Sequence, residues 1–126
     1  MVAYGLGDLA DKLTIYTRKD RISKKSFSKT LGIINDGIQE YLKDLESADR
    51  LKFHQDFCKL ADLNNAIWDL EYAIRIAADA EFPLETIGRR ALEIRDLNSE
   101  RVALINEINR YSKSGFQDVK MKHVSA

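Results

Sequence analysis

The stretch LADLNNAIWDLEYAIRIA, residues 60–77, decides the fold. Its apolar residues Leu60, Leu63, Ile67, Leu70, Ile74 and Ala77 step by 3, 4, 3, 4 and 3. That spacing places them along one seam of a helix, where a strand would alternate with period two. Phe53 and Phe57 extend the apolar face toward the start, so the pattern predicts a helix from about Asp49 to Ala80. Phe82-Pro83 ends it, because the residue before a proline is pushed out of the α region. Pro83 then opens a further helix at its first position, with Glu85 in the first turn. That helix is expected to reach Ser112, with Gly115 as its stop and Arg110 and Lys113 near the negative end.

Upstream, Gly5 and Gly7 mark an irregular start, and Asp8 suits an N-cap or a first-turn acid. Leu6, Leu9, Leu13 and Tyr16 carry a first helix to about Lys19. A second is expected from Phe27 to Leu45, with the stripe Phe27, Leu31, Ile34, Ile38, Tyr41 and Leu45. Gly32 and Gly37 lie inside it, each costing up to ~1 kcal/mol against alanine. Close helix approach is the expected reason for both. The chain therefore reads as all-α, an antiparallel bundle of about four helices built around a long helical hairpin. Residues 1–115 form the bundle domain. Residues 116–126 form a C-terminal tail, either loose or clamped onto a partner. A helix of ~30 residues is ~45 Å long. The two shorter helices can cover only part of such a hairpin, which leaves apolar surface for a second copy. A homodimer is expected, burying some of Phe53, Phe57 and Trp68.

Twenty acidic and twenty basic side chains cancel. Zero net charge gives no electrostatic footprint for nucleic acid. The balance is uneven, however. Between Lys12 and Lys29 seven basic residues face only Asp20, and between Thr30 and Asp49 five acidic residues face only Lys43. These are two solvated faces that complement each other, or else Arg18, Lys19, Arg21, Lys24 and Lys25 dock an anionic partner. The single cysteine, Cys58, leaves no internal disulfide and suits a reducing compartment. No signal-peptide core and no run of ~18 apolar residues is present, so no membrane partner is expected and the cytoplasm is the default.

Polar residues on the seams carry the functional question. The last helix has the seam Ile87, Ala91, Ile94, Asn98, Arg101, Ile105 and Ile108, which turns Asn98 and Arg101 inward. A buried charge needs a partner. On the long helix before it, Asn64, Trp68, Glu71 and Arg75 form one stripe beside the seam, so Glu71 is the expected partner of Arg101, with Asn64, Asn98 and Asn109 completing the network. The candidate ligand-binding set is Lys12, Asn64, Glu71, Arg75, Asn98 and Arg101. These residues either fix register, as a seam asparagine does in coiled coils, or line a small pocket for an anionic ligand.

The same residues resemble an uncharacterised family of small helical proteins from bacteria and phages. Its opening, G-E-L-x-D-K-x-T-I, is similar to Gly7-Asp8-Leu9-Ala10-Asp11-Lys12-Leu13-Thr14-Ile15, followed by Arg18 and Arg21-Ile22. Its centre, L-N-x-x-L-W-x-x-E-x-x-I-R, is similar to Leu63-Asn64, Ile67-Trp68, Glu71 and Ile74-Arg75. Its close is similar to Asn98-Ser99-Glu100-Arg101 and Ile108-Asn109. Asp8, Arg18 and Ser99 depart from the family's glutamate, lysine and aspartate, and residues 23–58 carry no likeness. The resemblance implies a helical fold and one spatial cluster of Asp11, Lys12, Asn64, Trp68, Glu71, Arg75, Asn98 and Arg101. It implies no reaction.

Other chemistry finds little footing. His54 and Cys58 are four apart and give two metal ligands where three or four are needed, so no metal and no cofactor is expected. Nothing orients a Cys–His nucleophile pair. Glu71, Glu93, Asp96 and Glu100 invite comparison with the magnesium-holding carboxylates of helical nucleotide pyrophosphatases, but their E-x-x-E box is missing. Lys12, Arg75 and Arg101 resemble the dicarboxylate-holding cations of helical chorismate mutases in charge only. The expectation is a non-enzymatic helical interaction protein, homodimeric. The alternative is an anion site or enzyme centred on Glu71, Arg75 and Arg101.

Overall fold

The computed structural model describes residues 4–80 and 83–114. Its elements are α1 (Leu6–Ile22), α2 (Ser28–Asp44), α3 (Ser47–Asp79) and α4 (Leu84–Tyr111). The chain is all-α, as its periodicity predicts. The stop expected at Gly115 and the tail 116–126 lie outside the described residues, as does Phe82. α1 begins two residues before Asp8 and ends three residues past Lys19, so Asp8 serves as a first-turn acid rather than as the N-cap. Pro83 sits one position earlier than expected, as the residue that caps α4.

α3 and α4 pair as an antiparallel hairpin, and α1 packs on both of them. Three contacts give the direction of α1. The Gly7 amide donates to Asn109 Oδ1 at 2.8 Å, Arg101 pairs with Asp11, and Arg18 pairs with Asp69 at 2.8 Å. α1 therefore starts at the open end of the hairpin and runs antiparallel to α4, stopping alongside the middle of α3. α2 then folds back along α1 and packs mainly on it. Asp20 makes that reversal. Its carboxylate accepts the Phe27 N–H at 2.7 Å, and the Tyr16 and Phe27 rings meet at 5.5 Å.

The core sits at the open end. Leu6, Ala10, Ile34, Ile38, Phe53, Leu60 and Ile108 are buried together, drawn from all four helices. Each large side chain here contributes about 1.5–3 kcal/mol through removal from water. Gly7 is what lets α1 come so close to α4: a Cβ there would collide with the Ile105 carbonyl oxygen. A Cβ added at Gly37 would meet the Leu9 side chain at 3.0 Å, so its expected role as a close-approach residue holds. Gly32 does not share it, because a Cβ at Gly32 would meet nothing. It lies on the side of α2 that faces away from α1.

Among the described residues, none gives the far half of the hairpin such cover. At 1.5 Å per residue α3 is ~50 Å long and α1 only ~26 Å. Past Asp69, Tyr72, Ile76, Leu84 and Leu92 are exposed. The rings expected to join copies lie elsewhere. Phe53 is 4% exposed in the core, Phe57 packs against that core, and Trp68 lies under the Arg18 guanidinium at 4.9 Å.

Candidate functional site

Arg101 and Asp11 form the centre of the inward polar residues. Arg101 Nε donates to Asp11 Oδ1 at 2.8 Å and Nη2 donates to Oδ2 at 2.6 Å. This two-pronged arrangement is the strong geometry for a guanidinium and a carboxylate. Asn64 Nδ2 donates to the same Asp11 Oδ1 at 2.9 Å and to Thr14 Oγ1 at 2.6 Å, while Thr14 donates to the Asp11 carbonyl at 2.8 Å. Arg101 Nη1 reaches Asn98 Oδ1 at 3.3 Å. The hydrogen bonds that Arg101 donates to Asp11 raise its pKa, with burial opposing them and the charges of Asp11 and Glu71 adding to them.

Glu71 is therefore not the partner of Arg101. It is exposed on α3 and acts on the guanidinium only through its charge. The physical reason is α1. A hairpin taken alone has only α3 to answer α4, but α1 packs against both and brings a better-placed carboxylate. Of the six candidate residues, Asn64, Glu71, Asn98 and Arg101 line one cleft with Thr14, Arg18 and Trp68. Arg75 is exposed on α3 and does not line the cleft. Lys12 points away to the Tyr4 ring, 4.8 Å from its centre. The cleft holds about 220 Å³, below the roughly 300–1,000 Å³ of typical small-molecule sites.

Arg18 closes one side. Nη1 donates to the Asn65 side chain at 2.9 Å, Nη2 donates to Asp69, and the plane covers Trp68. The sequence pattern put Arg18 either on a solvated basic face or in an anion-docking run, and so missed this role. The signal available was its spacing from Asp11, seven residues or two turns along one face of α1.

Two further clusters lie outside the cleft, and Asn109, expected to complete the Arg101 network, belongs to the first of them. Asn109, 4% exposed, caps the start of α1, taking the Gly7 amide on Oδ1 and donating to Asp8 from Nδ2 at 3.2 Å. Ser114 Oγ accepts the Leu6 amide at 2.9 Å. Asp56, also 4% exposed, takes the Lys52 ammonium at 3.2 Å and the Tyr111 hydroxyl at 3.1 Å. Burial, with the Asp56 charge behind it, pushes the Tyr111 phenol well above its ordinary value of 10.0.

No family model, curated protein or solved structure matches the chain. Chemistry at the site must be read from its own groups. Among the described residues no three His, Cys, Asp or Glu side chains cluster to hold a metal, and no helix is long and apolar enough to cross a membrane. Every buried side-chain nitrogen and oxygen among them has a hydrogen-bond partner. His54 and Cys58 are both exposed on α3.

Proposed function

We propose that the chain is a non-enzymatic helical interaction protein of the cytoplasm, working as a homodimer. The observation that carries this reading is the bare far half of the hairpin, where Tyr72, Ile76, Leu84 and Leu92 stand in water. Apolar side chains grouped on a projecting arm suit contact with the apolar stripe of another helix. The inward charges support the same reading. Asp11 holds Arg101 and Asp69 holds Arg18, so the groups that would grip a ligand are occupied by the protein itself. An anion site remains the alternative, supported by two arginines on one cleft.

Kinship with the small helical family of bacteria and phages belongs to this proposal. Its support is that Gly7, Asp11, Thr14, Asn64, Arg101 and Asn109, which carry the resemblance, all make contacts between α1 and the hairpin. On this reading the motif describes how α1 is seated.

Sedimentation velocity at tens of micromolar protein tests the proposal, with a species of twice the 14.4 kDa chain expected. A 14.4 kDa species throughout would sink it. Thermal shift against nucleotides, sugar phosphates and dicarboxylates at millimolar concentration checks the alternative. Stabilisation by any of them that disappears in Arg18→Ala would favour the anion site.

A further inference from the structure

α1 covers one face of the hairpin near its open end. On the other face α3 and α4 leave an open groove of about 620 Å³, and among the described residues these two helices alone line it. Its floor is apolar, with Leu63 and Ala66 from α3 and Ala103 and Leu104 from α4. Ala66 and Ala103 each lie two residues, or about 200° of helix turn, from Asn64 and Arg101, which meet α1. The groove therefore opens away from α1. Both alanines are short, which keeps the floor clear.

Charge marks the rims. α3 carries Lys59 and Asp62, and α4 carries Glu100 and Glu107. Tyr111 meets Asp56, and Arg90 meets Ala73, so Glu107 is level with Lys59 and Glu100 with Ala66. Glu107 is held by Arg110. Asp62 and Glu100 are exposed, and among the described residues neither is in an ion pair. Counted from the open end, the rims thus offer a guest one cation, Lys59, and then two carboxylates, Asp62 and Glu100.

The end of the sequence carries the complementary order. Asp118-Val119-Lys120-Met121-Lys122 has one acid and then two lysines, with apolar residues between. In an extended segment Val119 and Met121 share one side, and the charged residues share the other. We infer that the groove seats these residues of the chain itself. Val119 and Met121 then lie on the floor, Asp118 meets Lys59, and Lys120 and Lys122 reach Asp62 and Glu100.

Lengths permit it. Glu107, at the near mouth, is seven residues or ~10 Å back along α4 from Ser114. The five residues from Ser114 to Val119 span up to ~17 Å, enough to round the end of α4 and enter. From Asp118 to Lys122 is up to ~14 Å, against ~10 Å of helix from Lys59 to Ala66. A second copy of the hairpin fits the groove less well, because it would bring Asp62 and Glu100 against carboxylates like themselves. The assignment goes beyond the homodimer, whose surface is the far half of the hairpin.

Methyl-labelled full-length protein tests the assignment by NMR. Cross-peaks from the Val119 and Met121 methyls to those of Leu63 and Leu104 are expected, and are expected to persist on dilution. They should be lost in Ala103→Lys, which fills the floor from an exposed position and adds a charge that repels the lysines. They should also be lost in Lys120→Glu with Lys122→Glu, which alters no residue of the bundle. Circular dichroism checks that both variants keep the wild-type helix content. Trypsin is expected to cut after Lys120 and Lys122 at least tenfold faster in Ala103→Lys than in wild type. A wild type without cross-peaks to either leucine, or cut as fast as Ala103→Lys, would overturn the assignment. So would cross-peaks that survive both variants. Cross-peaks that arise only between two differently labelled copies in a mixed sample would overturn it too, since the groove would then hold a neighbour's segment. None of these results bears on the homodimer of the far half, which sedimentation decides separately.

Discussion

At the scale of single residues, Asp11 organises the inward polar groups. It accepts two hydrogen bonds from Arg101 and one from Asn64, and its side chain is 10% exposed. Removing one member of such a pair leaves the other without compensation, at about 3–5 kcal/mol when fully buried. Arg101 keeps 28% of its surface, so Asp11→Ala is expected near the low end, about 3 kcal/mol. Glu71→Gln is expected to change stability by under about 0.5 kcal/mol, as an exposed substitution. Urea unfolding of the two variants checks the contrast, and equal losses would contradict the Asp11 assignment. Tyr111 gives a pH signature. Its folded pKa is raised, so its contribution is present below the ordinary value of 10.0 and is lost as pH rises above it. Stability is expected to fall above pH 10, and Tyr111→Phe to reduce that fall relative to wild type. Parallel pH profiles would show that the phenol exchanges its proton equally in both states.

At the scale of elements, the helices were legible and the seating of α1 was not. The 3–4 spacing of Leu60, Leu63 and Ile67 sets α3 by itself, because burial along one seam is a local property of sequence. Which carboxylate meets Arg101 depends on where a separate helix lies, and no spacing within α3 or α4 contains that. Gly7 reads as part of an irregular start and Asn109 as a member of the Arg101 network, yet they are two halves of one contact. Their separation of 102 residues hides it from any local pattern. Gly7→Ala forces α1 away from the Ile105 carbonyl, and overpacking of this kind costs about 1–3 kcal/mol. Asn109→Ala removes a cap, at about 0.5–2 kcal/mol. Because both act on one contact, the double variant is expected to lose less than the sum. A fully additive pair, measured by thermal unfolding, would mean that the two sites act separately.

For the whole molecule, order should fall off along the hairpin. The shared core lies at the open end, and past Asp69 α3 and α4 have, among the described residues, only each other. Amide exchange in residues 70–77 and 86–97 is expected to run on the order of 10–100 times faster than in residues 56–64 and 100–109, through local opening. Uniform protection in dilute solution would mean that something covers the far half. Phe53, expected among the rings at an interface, is buried within the chain, and Phe57 packs partly against the same core. Bulky rings mark burial, but the sequence does not say whether the cover comes from the same chain.

The cap on α1 has a consequence for how the protein is made. α1 leaves the ribosome well before Asn109 and Ser114, the residues that satisfy its leading amides. At roughly 5–20 residues per second, the interval is about 5–20 s. During it α1 has neither its cap nor the surface that buries Leu6 and Ala10, and an isolated helix of this length is marginal in water. α1 therefore waits for the end of α4. Folding is expected to begin in the α3–α4 hairpin, whose contacts are nearer in sequence, with α1 closing last over a structure already formed. Substitutions at Gly7 and Asn109 should then speed unfolding and leave the folding rate nearly unchanged. Stopped-flow chevrons would reveal the opposite order if those two variants slowed folding instead.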